Sequence, residues 1–121
     1  MVKALFDTNI LIDYLNGVSQ AQGELARFKD KAISQITWME VMVGANTESD
    51  TVIRRFLASF VSIPVDGAIG ELAVTLRKKH KIKLPDAIVW ATAQVAGRIL
   101  VTRNTKDFNA QEPGIHIPYL L

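Results

Sequence analysis

The stretch Val2-Lys3-Ala4-Leu5-Phe6-Asp7-Thr8-Asn9-Ile10-Leu11-Ile12-Asp13-Tyr14-Leu15 changes its periodicity half-way along, and that change decides the fold. Val2 to Phe6 is short and apolar, the pattern of a buried strand. From Ile10 to Leu15 the apolar spacing turns helical, and Asn16-Gly17 stops it. Between the two lies Asp7-Thr8-Asn9, at the carboxyl end of the strand and just before the helix. In open α/β sheets that edge is where ligands bind. Asp and Asn also start helices in the ordinary way. Asp7 alone therefore reads equally well as a cap, and gains weight only if other carboxylates reach the same edge.

The same alternation continues along the chain. Ser19 is placed to cap a second helix, with Leu25 and Phe28 on one face, ahead of Lys29-Asp30-Lys31. Ala32 to Gln35 is a short strand candidate. Thr37-Trp38-Met39-Glu40 has the Thr-x-x-Glu form of a capping box and opens a helix that ends near Gly44. Ser49 or Asp50 starts the next helix, through Val52, Ile53, Phe56, Leu57 and Phe60. Val61 to Val65 reads as a strand that Pro64 keeps short or at an edge. Asp66 caps a helix with Ile69, Leu72, Ala73 and Leu76 on its apolar face.

Leu84-Pro85-Asp86 then introduces the most hydrophobic segment, Ala87 to Ala96, closed by Gly97. Ile99 to Thr102 is a strand, Arg103 to Asp107 a polar loop, and Ile115 to Ile117 a last edge strand. Strands alternating with helices predict one α/β domain over residues 1–121: a mostly parallel, twisted sheet of four to five strands with helices on both faces. Trp38 and Trp90 fall in apolar helical segments and read as core residues.

Composition narrows the chemistry. The 121 residues include no cysteine, which excludes disulfides, thiolate metal sites and cysteine nucleophiles. No apolar run approaches the ~20 residues needed to span a bilayer. Asp7 interrupts the first apolar run too early for a signal peptide, so a soluble cytoplasmic protein is the simplest expectation. The formal net charge of +2 is too mild to imply nucleic-acid binding by itself. Locally, however, Arg77, Lys78, Lys79, Lys81 and Lys83 crowd around His80. A solvated helix end is the plain reading of that run.

Neither histidine sits in a zinc or Ser-His-Asp context; His116, between Ile115 and Ile117, reads as an outward-facing strand residue. There is no phosphate-binding glycine loop or dinucleotide fingerprint. If the chain is an enzyme, carboxylates carry the work. Asp7, Glu40 and Asp86 each have a plain role as cap or helix-dipole partner. Together, in a doubly wound sheet, they converge on one edge, where unpaired carboxylates repel and are costly to desolvate. A hard divalent cation resolves both problems. The loop after the Ile99 strand adds Asp107 as an acid and Asn104 as a neutral oxygen ligand, and the Thr102 hydroxyl can hold a carboxylate.

Phe-Asp-Thr-Asn at 6–9, Thr-Trp-Met-Glu-Val at 37–41, Leu-Pro-Asp-Ala at 84–87 and Val-Thr-Arg-Asn-Thr-Lys-Asp-Phe at 101–108 resemble the successive motifs of PIN domains. Length and motif spacing are most similar to the VapC toxins of toxin–antitoxin pairs, and the resemblance runs from residue 3 to about 108. It implies a Mg²⁺- or Mn²⁺-dependent endoribonuclease leaving a 5′-phosphate and a 3′-hydroxyl. Asp7, Glu40 and Asp86 would be its first three acids, and Asp107 the fourth, with Asn104 as helper; family members differ at that fourth position. Thr8, Asn9, Thr37 and Thr102 would support the acids. The resemblance further implies a homodimer, neutralisation by a VapB-type antitoxin, and a hetero-oligomer that binds DNA through the antitoxin. With an acidic site beside it, the run Arg77 to Lys83, together with Arg103, becomes a candidate RNA contact. Two rivals remain open: a non-catalytic binding protein of the same fold, and a phosphotransfer protein using Asp7 as nucleophile.

Overall fold

The computed structural model describes residues 2–121. Five strands form a single sheet: β1 (Ala4–Phe6), β2 (Lys31–Ser34), β3 (Val61–Ile63), β4 (Ile99–Val101) and β5 (Ile115–His116). Every pairing is parallel and the order is β3-β2-β1-β4-β5. Six helices connect them: α1 (Thr8–Leu15), α2 (Ser19–Ala26), α3 (Gln35–Val43), α4 (Asp50–Ala58), α5 (Gly67–His80) and α6 (Leu84–Val95). The chain builds outward from β1 to β3, then returns to the other side of β1 with β4. The point of reversal therefore lies between β1 and β4, where doubly wound sheets open a crevice at their carboxyl edge.

The period-2 alternation of side chains divides the core into two layers. Leu5, Ala32 and Leu100 face α5 and α6, packing on Ile69, Ala73, Trp90 and Ala91. Ala4, Phe6, Ile33 and Val101 face the other way, onto Ile10, Leu11, Leu25, Val41 and Leu57. Phe6 anchors this second layer, with its ring edge-on to Phe28 at 5.6 Å and Phe60 at 6.1 Å. Trp90 is buried as expected, whereas Trp38 is half-buried with the Arg54 guanidinium 5.5 Å from its ring.

Several local expectations shift. Helix α3 starts at Gln35, and its cap is Ser34, whose hydroxyl accepts from the Ile36 amide at 3.3 Å. The expected capping box is therefore absent: Thr37 lies inside the first turn, fully buried, and Glu40 in the second. Ser19 does not cap α2 either; Val18 takes that position without a side-chain bond. Asp66 does cap α5, accepting from the Ile69 amide at 2.9 Å. Lys81 ends α5 in the left-handed region, at φ 55°. His116 is not turned outward: it sits half-exposed on the face covered by α2, 3.1 Å from the buried Glu24 carboxylate. Among the described residues no helix is long and apolar enough to cross a membrane.

Candidate active site

Asp7 leaves β1 and is only 4% exposed. Its backbone still belongs to the sheet, donating to Val101 O at 2.9 Å, while its side chain caps α1 by accepting from the Thr8 amide at 2.8 Å. The second carboxylate oxygen accepts from the Thr102 hydroxyl at 2.7 Å and from the Asn9 side-chain amide at 3.3 Å. Asn9 also reaches Thr102 Oγ1 at 3.2 Å. Thr102 is fully buried at the end of β4. Two strands on either side of the switch point thus fix one carboxylate.

The other acids arrive from separate elements. Thr8 Oγ1 donates to Glu40 Oε1 at 2.7 Å and lies 3.0 Å from Thr37 Oγ1, so α1 and α3 are tied together at this edge. Asn104 donates its side-chain amide to Asp107 at 3.0 Å, and its carbonyl oxygen accepts from the Lys106 and Asp107 amides, both at 3.2 Å. Asp86 sits in the first turn of α6. Its carboxyl is pushed up to about 7, first by burial, then by the charge on Asp7, by a carboxyl–carboxyl hydrogen bond with Asp107, and by the charges of Asp107 and Glu40. Burial likewise raises the Asp7 carboxyl, against the hydrogen bonds from Thr102, Thr8 and Asn9, with the Glu40 charge adding to the rise. Asp7, Glu40, Asp86 and Asp107 therefore share one field.

A family model described as PIN domain matches residues 4–111. The chain belongs to the PIN-domain family. Among solved structures, a chain of a toxin–antitoxin complex from Klebsiella pneumoniae is 49% identical, with a TM-score of 0.94, over 98% of this chain and 100% of that one. A chain of a DNA-bound VapBC from Salmonella typhimurium is 23% identical, with a TM-score of 0.78, over 97% of each. A chain of FitAcB from Neisseria gonorrhoeae is 22% identical, also with a TM-score of 0.78, over 98% of this chain and 99% of that one. The last two show the shared fold. No curated protein matches the chain at a significant level.

In this PIN domain the donor set is all hard oxygen, and its mutual repulsion calls for positive charge. Among the described residues no three His, Cys, Asp or Glu side chains close into a ready-made metal cage. The acids nevertheless feel one another's charge, and hard-oxygen donors of this kind suit a small divalent ion whose shell is completed by water and substrate oxygens. A separate cavity of ≈ 540 Å³, lined by Val2, Arg27, Phe28, Lys29, Ile99 and His116, includes none of these acids.

The expected cations divide into two groups. Arg77, Lys78, Lys79, Lys81 and Lys83 are exposed on the last turn of α5 and the link to α6, although Arg77 also donates to Ile82 O at 3.2 Å. Arg103, the other candidate RNA contact, is engaged within the chain. Its guanidinium grips both oxygens of Asp13, and Tyr119 donates to the same carboxylate at 2.8 Å. Asp13 and Tyr119 were not expected near the site; the one signal in the sequence was a lone acid inside the apolar run Ile10 to Leu15.

Proposed function

We propose that this PIN domain is the toxin of a VapBC-type toxin–antitoxin pair and hydrolyses RNA phosphodiester bonds with Mg²⁺ or Mn²⁺. The observation that carries the reading is that Asp7, Glu40, Asp86 and Asp107, from four separate segments, lie close enough at one sheet edge for the other three charges to act on Asp86. Clustered negative charge disfavours a site that binds phosphate by itself, and favours one completed by a cation.

Asp7, Glu40, Asp86 and Asp107 would hold the ion. When bound, it supplies a lower pKa for water and neutralises charge developing on a phosphoryl oxygen. The chain's own residues set the stage. Thr102, Asn9 and the Thr8 amide orient Asp7, Thr8 orients Glu40, and Asn104 orients Asp107. The exposed run Arg77 to Lys83 leads directly into α6 and Asp86, where it can draw the phosphate backbone toward the acids.

A VapB-type antitoxin, a homodimer and DNA binding through the antitoxin follow from the same reading, in the cytoplasm. It is supported by likeness to chains of toxin–antitoxin complexes, one of them bound to DNA. Labelled RNA incubated with Mg²⁺, with and without EDTA, tests the activity. EDTA-sensitive cleavage supports the nuclease. RNA that is bound but intact at saturating Mg²⁺ supports a binding protein instead, and a phospho-aspartate supports the phosphotransfer rival.

A further inference from the structure

We propose that Arg103 is a positioning residue of the acidic site, locked by Asp13 and Tyr119 so that the turn carrying Asn104 and Asp107 stays fixed beside Asp86. This role rests on the metal-site reading above.

Arg103 is the link between two functional pieces of chain. On one side is Thr102, which holds Asp7; on the other is Asn104, which holds Asp107. The turn itself is tied back to this link. The Asn104 amide donates to Thr102 Oγ1 at 3.1 Å, the Thr105 amide to Arg103 O at 3.1 Å and the Phe108 amide to Asn104 O at 3.2 Å. Where Arg103 sits decides where Asp107 sits.

One face of α1 holds Arg103 twice. Asn9 and Asp13 are four residues apart, so they stack on the same side of the helix. Asn9 Oδ1 accepts from the Arg103 amide at 3.3 Å. One turn on, Asp13 takes the guanidinium on both oxygens, through Nε and through Nη2 at 2.9 Å. That planar fork is a geometry lysine cannot reproduce. Asp13 is 4% exposed, and its carboxyl is held below the usual range chiefly by the Arg103 hydrogen bond. Tyr119 then closes the clamp from the C-terminal stretch, donating to Asp13 Oδ2 at 2.8 Å. A guanidinium engaged in this way fixes the backbone rather than reaching for phosphate.

Three variants separate positioning from RNA contact: Arg103→Lys, which keeps the charge but loses the fork; Tyr119→Phe, which removes one bond; and the double variant Asp13→Asn/Arg103→Gln, which removes the pair without stranding a buried charge. Mn²⁺ affinity is measured by electron paramagnetic resonance without RNA, RNA affinity by anisotropy in EDTA, and kcat and KM in Mg²⁺. Positioning predicts that Arg103→Lys and the double variant lose about 10–100-fold in Mn²⁺ affinity and kcat, the range for residues that orient metal ligands. KM and RNA affinity stay unchanged, and Tyr119→Phe shows a smaller loss in the same direction. Parent-like Mn²⁺ affinity and kcat in the folded double variant, with weakened RNA binding, overturns the positioning role and returns Arg103 to RNA. Failure of the parent itself to bind Mn²⁺ overturns the metal-site reading and this inference with it.

Discussion

Three neutral donors hold the Asp7 carboxylate, the Thr8 amide, the Thr102 hydroxyl and the Asn9 side chain, and the charges it meets next are acids. A buried carboxylate in that setting is costly to ionise until a cation joins it. Asp86 titrates in the same field, near 7 when folded. Unfolded, it would ionise near the ordinary value of about 3.9. Between those two pH values the folded, metal-free protein binds more protons than the unfolded chain, so this group lowers stability as pH rises from about 4 to 7 and no further above that. Melts in EDTA should therefore show Asp86→Asn gaining Tm over the parent across that window. A Tm difference that stays flat or shrinks there contradicts the shared field. Protons and metal compete for the same oxygens, so apparent Mn²⁺ affinity of the parent should climb as pH rises through 7. Asp13 has the opposite sign. Its depressed carboxyl contributes stability that is complete above the unfolded value and lost as pH falls below about 4.

Helix starts show how far local pattern can be read. The alternation of apolar runs predicted every strand and helix of the sheet in order, because hydrophobic periodicity is a local signal. The start of α3 was misplaced because Ser34 and Thr37 both carry a hydroxyl able to cap. Only tertiary contact decides between them: Ser34 ends β2, and Thr37 turns inward to meet Thr8. This has a measurable consequence. Ser34→Ala should cost about 0.5–2 kcal/mol in urea unfolding, the range for a lost N-cap. Glu40→Gln should cost nothing in the absence of metal, since no capping box exists to lose. A loss from Glu40→Gln equal to that from Ser34→Ala would restore the capping box. The positions of Asp7 at a strand end and Asp86 in a first helical turn were legible for the same local reason, whereas Glu40 lies a turn further into its helix than expected. Asp13 was not, because its meaning depends on Arg103, 90 residues away.

Across the whole molecule, the order β3-β2-β1-β4-β5 makes one site from distant segments. That order has no local signature: alternating strands and helices do not say which side of β1 receives β4. Folding should depend most on the central strand. Phe6→Ala removes a fully buried ring packed on Phe28 and Phe60, and is expected to cost about 3–5 kcal/mol. Equilibrium denaturation checks this, and a loss near zero would mean that the second core layer repacks freely. Charge also acts at this scale. With a net charge of only +2, the proposed RNA attraction would rest on the exposed Arg77–Lys83 run rather than on the molecule as a whole. Replacing Lys78 and Lys79 with Gln should reduce the salt slope of RNA binding by about 0.7 for each phosphate that these lysines neutralise; an unchanged slope would move the RNA path elsewhere. The central claim is that four acids gathered at the switch point cleave RNA with a divalent ion. Single-turnover cleavage of labelled RNA in saturating Mg²⁺, comparing the parent with a folded Asp7→Asn variant, tests it most directly. The account predicts cleavage by the parent that EDTA abolishes and none by the variant; cleavage by Asp7→Asn at the parent's rate would contradict it.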